Sequence, residues 1–226
     1  MTPDLATLTV CLVRPRIPEN VGFVARSMKT MGFSRLLLAD PAFSLQPESP
    51  AFKTASGAQD ILHQCQIHRH LETALAPFHH VLGFSRRQHN FERPQSDLGP
   101  WLQQHSHILG HQHIALVFGP EDYGLSTPDK RLCKQILTIP MKAETMSLNL
   151  SHAVTIVLYA ISQALTESPA SPAPERPVSH ENVQRVVNQL ITMLEPTTFF
   201  KAGRKEYQAE AIRNLIQRLE LSEGEY

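Results

Sequence analysis

Three short polar clusters carry the residue types and spacing from which a ligand site can be built. They are Pro18 to Arg26, the loop Phe118-Gly119-Pro120-Glu121 running to Gly124, and Ile139-Pro140-Met141 followed by Ser147-Leu148-Asn149. Each begins where an apolar run ends, and an α/β protein gathers its functional groups at the carboxyl ends of its strands. In the first cluster Val21, Val24, Ala25, Met28 and Met31 share one helical stripe, so Arg26 falls on the opposite side, away from a core. Gly22, one turn earlier, has no side chain to shade it, and Asn20 stands where an N-cap is expected. In the second, Glu121 can accept hydrogen bonds from a ligand or pin the amides of its own loop. In the third, Ser147 is placed to cap an apolar helix over Leu148 to Ile161, with Asn149 in its first turn.

The elements that must position these groups follow from hydrophobic pattern. Leu8 to Val13, Leu36 to Ala39, Val81 to Phe84, Ile114 to Phe118 and Ile136 to Ile139 are short apolar runs of the kind that form strands buried on both faces. They alternate with helical patterns, which predicts an α/β domain with a mostly parallel sheet over residues 1–165. Ser126 with Asp129 reads as a capping-box start to a helix. Pro169, Pro172, Pro174 and Pro177 mark a linker over residues 166–178. A helical extension follows over residues 179–226. Ser179 is its cap; Val183, Val186, Val187, Leu190, Ile191 and Leu194 form one stripe, and beyond Pro196 come Tyr207, Ala211, Ile212, Leu215, Ile216 and Leu219.

Composition bounds the function. With 42% hydrophobic residues the chain is an ordinary globular protein, and no apolar run approaches the roughly 20 residues needed to cross a bilayer, so a cytoplasmic protein is expected. The 3 cysteines form no Cys-x-x-Cys and read as small buried hydrophobes. Basic and acidic residues balance at 21 each, so a nucleic-acid partner must be held by local patches. Neither Gly-x-x-x-x-Gly-Lys-Ser nor Gly-x-Gly-x-x-Gly occurs, which argues against a nucleotide-binding α/β enzyme.

The three clusters resemble the three motifs of the TrmH-type SPOUT methyltransferases, which methylate RNA ribose 2'-hydroxyls with S-adenosylmethionine. The resemblance rests on Pro18-Glu19-Asn20-Val21-Gly22 with Ala25-Arg26, on Phe118-Gly119-Pro120-Glu121 with Gly124-Leu125, and on Ile139-Pro140-Met141 with Ser147-Leu148-Asn149-Leu150-Ser151. Met28 to Gly32, Ala55 to Ala58 and Gly83 to Arg86, with the extension, make the chain most similar to the bacterial members that act on nucleotide 32 of the tRNA anticodon loop. The resemblance implies a trefoil knot at the carboxyl end of the α/β domain and a homodimer. It assigns catalysis to Asn20, Arg26, Glu121, Ser147 and Asn149, and cofactor contacts to Phe84, Ser85, Gly119, Ile139, Met141 and Leu148. Arg26 is then best read as a clamp on a phosphate and a developing alkoxide. Ribosomal RNA as substrate, or RNA binding without catalysis, are the rival readings.

On the substrate side the chain departs from the family, with Glu144-Thr145-Met146 where an aromatic residue is common and Ala160 where an acidic one is. Arg86 and Arg87 follow a strand and can meet RNA or simply sit in water; Lys201, Arg204 and Lys205, with Arg213 nearby, can track phosphates or form a solvated helix face diluted by Glu206 and Glu210. His105, His107, His111 and His113 lack the accompanying ligands of a known metal geometry, and no metal is expected.

Overall fold

The computed structural model describes residues 4–86, 95–142, 147–167, 178–201 and 203–218. Arg87, residues 144–146 and the proline-bearing part of the linker at residues 168–177 lie outside the described residues. Seven strands form one sheet: β1 (Leu8–Val13), β2 (Arg35–Ala39), β3 (Gln66–His68), β4 (His80–Phe84), β5 (Gln95–Asp97), β6 (Ile114–Phe118) and β7 (Gln135–Thr138). Their order is β3-β2-β1-β6-β4-β7-β5, and every pairing is parallel. The five apolar runs are therefore strands. The two that the pattern missed, β3 and β5, are three-residue edge strands of polar composition, where burial imposes no apolar signature.

Side chains along each central strand alternate between two cores. Leu8, Val10 and Leu12 of β1, Ile114, Leu116 and Phe118 of β6, and Leu82 and Phe84 of β4 enter the larger core. There they meet α1 (Pro18–Thr30), α5 (Leu98–His105) and α7 (Leu150–Glu167), and the short helices α2 (Pro50–Thr54) and α3 (Gln59–His63). Cys11, Val13, Val81, Ala115 and Val117 point the other way, against α4 (Leu71–Leu75) and the start of the chain leading from α6 (Thr127–Leu132). Burial on both faces explains why these strands read as unbroken apolar runs. Burial also raises the Cys11 and Cys65 thiols, so they stay protonated.

Helix α1 buries Val21, Val24, Ala25 and Met28, as its stripe predicts. Its beginning differs from expectation. Ile17 holds the cap position and Pro18 the first helical turn, so Asn20 is a buried residue inside the helix and not its N-cap. Gly22 is also buried: a Cβ there would meet Thr54 Oγ1 and the Ala51 carbonyl of α2. Its role is close helix approach, not the exposure of Arg26. On the far side Ser27 Oγ lies 2.7 Å from Thr155 Oγ1, which donates to the Ser151 carbonyl at 2.7 Å, so α1 and α7 are laced together.

The extension comprises α8 (His180–Leu194), capped by the Ser179 hydroxyl, and α9 (Lys205–Arg218). Its hydrophobic cluster is built on Val187, Ile191 and Ala209, with Phe200, Ile212 and Ile216 packed alongside, and His180 and Glu210 are also buried. Tyr207 and Leu215 of the expected stripe are 65% and 61% exposed, because α9 buries a narrower strip through Ala209, Glu210, Ile212 and Ile216. The His180 and Glu181 amides donate to the Phe78 and Ala76 carbonyls at 2.7 and 3.1 Å, fastening the extension behind α4. No described helix is long and apolar enough to cross a membrane.

His80, at the start of β4, is buried, with Nε2 2.5 Å from Gln112 Oε1. Burial first, and then the charge of Lys134, depress its pKa from 6.5 to about 3. The native state thus keeps it neutral while the unfolded chain protonates below 6.5. Stability from this group is complete above pH 6.5 and declines as pH falls toward 3, by about 1.4 kcal/mol per unit. Urea unfolding at pH 7 and pH 5 should give a smaller acid loss for His80→Asn than for the native chain, and equal losses would refute the assignment.

Candidate active site

Because all strands are parallel, the loops after β1, β4, β6 and β7 emerge at one edge of the sheet. Glu121, in the loop after β6, accepts hydrogen bonds from elsewhere than its own loop. The Arg16 amide donates to its Oε2 at 3.1 Å; the Ile17 amide and Asn20 Nδ2 donate to its Oε1 at 3.3 and 2.9 Å. The carboxylate thereby closes the start of α1, where the helix dipole favours negative charge.

A carboxylate can only accept, which orients a chain of amides. Asn20 must turn its NH2 to Glu121, so its Oδ1 accepts from Asn149 Nδ2 at 3.0 Å. Asn149 Oδ1 is then left to accept from the Ser151 amide and hydroxyl, at 2.8 and 2.7 Å. Asn149 therefore caps α7, which begins at Leu150; Ser147 does not cap it and lies exposed. Three segments far apart in sequence are joined through a directed chain of side-chain amides.

A pocket of about 230 Å³ opens beside this network. Phe84, Ser85, Gly119, Ile139, Met141 and Leu148 all line it, together with Glu121, Ser147 and Arg86. Sequence reasoning named Phe84 but missed its stacking partner Phe118: the two, opposite each other on β4 and β6, have ring centroids 4.6 Å apart and 8° between planes. It also missed Asp122 and Tyr123 on the wall. Gly119 has a steric reason, since a Cβ would run into the backbone of Gly124 and Leu125, where the loop folds back. Ser85 is less free than expected: its amide donates to the Leu137 carbonyl at 3.1 Å and its carbonyl accepts from Thr138 Oγ1 at 3.2 Å. What it can offer a ligand is mainly its hydroxyl.

Arg26 does not enter this pocket. It lines a neighbouring depression with Asn20, Phe23, Asn149, Ser151 and His152, exposed on the outer face of α1. Ser147, Leu148 and Leu150 face the pocket while Asn149 and Ser151 face the depression, so one short segment is the wall between them. The bond from Asn20 to Glu121 crosses the same wall. Lys201, Arg204 and Lys205 are exposed on the extension, with Lys205 Nζ 2.8 Å from Glu195. Ala160 packs against the larger core. His105 stacks on Trp101 at 4.8 Å, and the His113 amide donates to His79 Nδ1 at 3.1 Å, away from the site. Among the described residues no three His, Cys, Asp or Glu side chains converge on a point that could hold a metal.

The chain that builds this sheet edge matches the model of a known family. The model of the SpoU rRNA Methylase family covers residues 7–159. The chain belongs to that family and is an RNA methyltransferase by descent. It is similar to the tRNA (cytidine/uridine-2'-O-)-methyltransferase TrmJ of Pectobacterium atrosepticum, 30% identical over 218 residues that span 95% of this chain and 90% of that protein. The crystal structure of TrmJ from Z. mobilis ZM4 is alike over 96% of this chain and 93% of its own, with TM-score 0.79 and 29% identity. A structure described through the 2-OH methylation of C/U34 on tRNA is alike over 71% of this chain and 97% of its own, with TM-score 0.56 and 27% identity.

Glu121→Gln replaces one accepting oxygen with a donor facing another donor. Loss of a bond in this half-buried position should lower unfolding free energy by about 1 to 3 kcal/mol. Denaturant titration checks it, and an unchanged midpoint would mean that the carboxylate does not hold α1.

Proposed function

We propose that this protein is an S-adenosylmethionine-dependent tRNA 2'-O-methyltransferase that modifies the ribose of nucleotide 32 in the anticodon loop. The observation that carries this reading is the divided site: a pocket and an arginine-bearing depression share one wall, crossed by the Asn20–Glu121 bond. The similarity to TrmJ over nearly the whole chain supports the tRNA substrate.

The pocket's chemistry fits the cofactor. Stacked Phe84 and Phe118 offer an apolar floor, Gly119 and Pro120 a wall of main chain, and Ser85 a hydroxyl, which suits an adenosine with an amino-acid tail. Phe84, Ser85, Gly119, Ile139, Met141 and Leu148 would hold it. When bound, S-adenosylmethionine supplies an activated methyl group on a sulfonium, and no metal is required.

The remaining work falls to this chain's side chains. Arg26 is a permanent cation with a planar fork of donors, suited to gripping a substrate phosphate and stabilising a developing 2'-alkoxide; it is not a proton acceptor. Asn20 and Asn149 shape the depression in which Arg26 stands, and Glu121 fixes both through the amide chain. Ser147, exposed at the pocket, is placed to touch substrate. Arg86, which lines the pocket, and Lys201, Arg204 and Lys205 on the extension would meet the tRNA backbone, as would Arg87, the next residue in sequence, with Lys205 partly neutralised by Glu195.

The same reading includes a trefoil knot, a cytoplasmic location and a homodimer. Phe23 on α1 and Ile156 and Tyr159 on α7 are 45%, 40% and 58% exposed, an apolar face next to Arg26 that a second copy would cover.

Purified protein is incubated with labelled S-adenosylmethionine and, separately, unmodified tRNA and ribosomal RNA, and the product is located by mass spectrometry. Ribose methylation at tRNA nucleotide 32 is expected. A product at nucleotide 34 or elsewhere in tRNA would move the target, and methylation of ribosomal RNA alone would overturn the tRNA reading. Arg26→Lys keeps the charge and loses the fork: turnover should fall by roughly a hundredfold while cofactor affinity stays within about twofold. Normal turnover would rule out the clamp.

A further inference from the structure

We infer that Arg16 is a positioning residue that holds the tip of the cofactor-pocket wall as a salt-sensitive clasp, an inference that rests on the pocket being the S-adenosylmethionine site. The wall is the tight turn from Pro120 to Gly124, closed by the Gly124 amide donating to the Pro120 carbonyl at 3.0 Å, with Gly124 at φ +69°. Asp122 and Tyr123 form its tip, and both line the pocket.

Two arginines of the β1–α1 connection hold this turn, in different surroundings. Arg14 is fastened to Asp129, a buried carboxylate that also accepts from the Ser126 amide and hydroxyl at 2.9 and 2.6 Å. That anchor secures the base of the loop around a buried carboxylate, and the Arg14 side chain also hydrogen-bonds Tyr123, so the tip has one contact besides those of Arg16. Arg16 secures the tip through three consecutive residues. Its amide donates to Glu121, its Nη1 lies 2.5 Å from Asp122 Oδ2, and its guanidinium stands 5.7 Å from the centre of the Tyr123 ring. The Arg16 and Asp122 side chains are 52% and 55% exposed, against 31% and 7% for Arg14 and Asp129, so salt screens this ion pair more strongly than the Arg14 pair.

The consequence is a division of labour. Folding needs the base anchor and the Glu121 bonds; the guanidinium of Arg16 restrains only the tip that borders the ligand. Because the Arg16 amide survives in Arg16→Ala, that substitution removes the clasp and leaves the Glu121 anchor in place. Restraint before binding spares the ligand the ordering of the loop, so its loss appears as weaker binding.

Calorimetry of S-adenosylmethionine binding at low and high salt tests this, with thermal unfolding alongside. Arg16→Ala should weaken binding by about three- to tenfold at low salt, the combined scale of an exposed ion pair and one cation–π contact. The gap from the native chain should shrink as salt rises, with the melting temperature nearly unchanged. Asp122→Ala should weaken binding less, and the double variant no more than Arg16→Ala alone. In turnover, KM for the cofactor should rise by more than kcat falls. Native-like binding by Arg16→Ala at low salt, or a salt-independent loss accompanied by a lower melting temperature, would overturn the clasp. No binding by the native chain would instead overturn the reading of the pocket, and the clasp with it.

Discussion

The arrangement depends on one carboxylate. Glu121 leaves the end of β6 and accepts from the Arg16 and Ile17 amides and from Asn20, tying the loop after one central strand to the helix after its neighbour. Amides at a helix start have no partner within the helix, so something must satisfy them. Here the partner comes from about a hundred residues further along the chain, and the bond thereby sets where α1 stands over the sheet edge. A carboxylate cannot donate, so it also dictates the orientation of Asn20, then Asn149, then the start of α7. Stability and site geometry are the same interaction.

The sheet makes that interaction possible. Parallel strands buried on both faces bring all carboxyl ends to one edge, and the neighbouring positions of β1, β6, β4 and β7 bring their loops within reach of one another. Two non-glycine residues there, Arg14 at φ 45° and Asp40 at φ 51°, occupy the left-handed region immediately after β1 and β2. Such backbone persists only where surroundings over-determine it. For Arg14 the surroundings are visible: its amide donates to the Ala39 carbonyl at 2.7 Å and its guanidinium is tied to Asp129.

The site divides into a pocket with an apolar floor and a rim bearing Arg86, Glu121 and Asp122, and a depression bearing Arg26, and the proposed reading gives the two different binding tasks. An enclosed pocket of mixed polar and apolar lining suits a compact ligand, whereas an exposed guanidinium suits a phosphate that arrives with a large partner. The wall formed by residues 147–151 is thin enough that alternate side chains serve the two sides. Burial of Asn20 within α1 makes it a fixed part of that partition, while Arg26, two turns further on, remains free to meet an incoming chain.

Much of this was legible in the residues. Apolar runs bounded by polar turns located the five longer strands, because burial on both faces demands unbroken hydrophobicity, and the stripe of α1 placed Arg26 outside because helical geometry leaves it nowhere else. The motif residues identified the pocket lining, since a loop that must fold back on itself needs Gly119 and a resemblance in three separate motifs leaves little freedom. Local pattern failed wherever a distant partner competed. Asn20 and Ser147 look like caps to a reader of neighbours alone, yet a carboxylate at Glu121 draws Asn20 inward and Asn149 takes the capping role. Gly22 seemed to open a face and in fact admits α2, and the Arg16–Asp122 clasp joins residues with no sequence relation at all. Sequence alone determined the five longer strands, the helical stripes and the local caps at Ser126 and Ser179, whose patterns are local consequences of burial and capping; tertiary structure alone decided the long-range hydrogen-bond partners, because an unsatisfied amide or carboxylate takes whatever group the folded chain brings within about 3 Å.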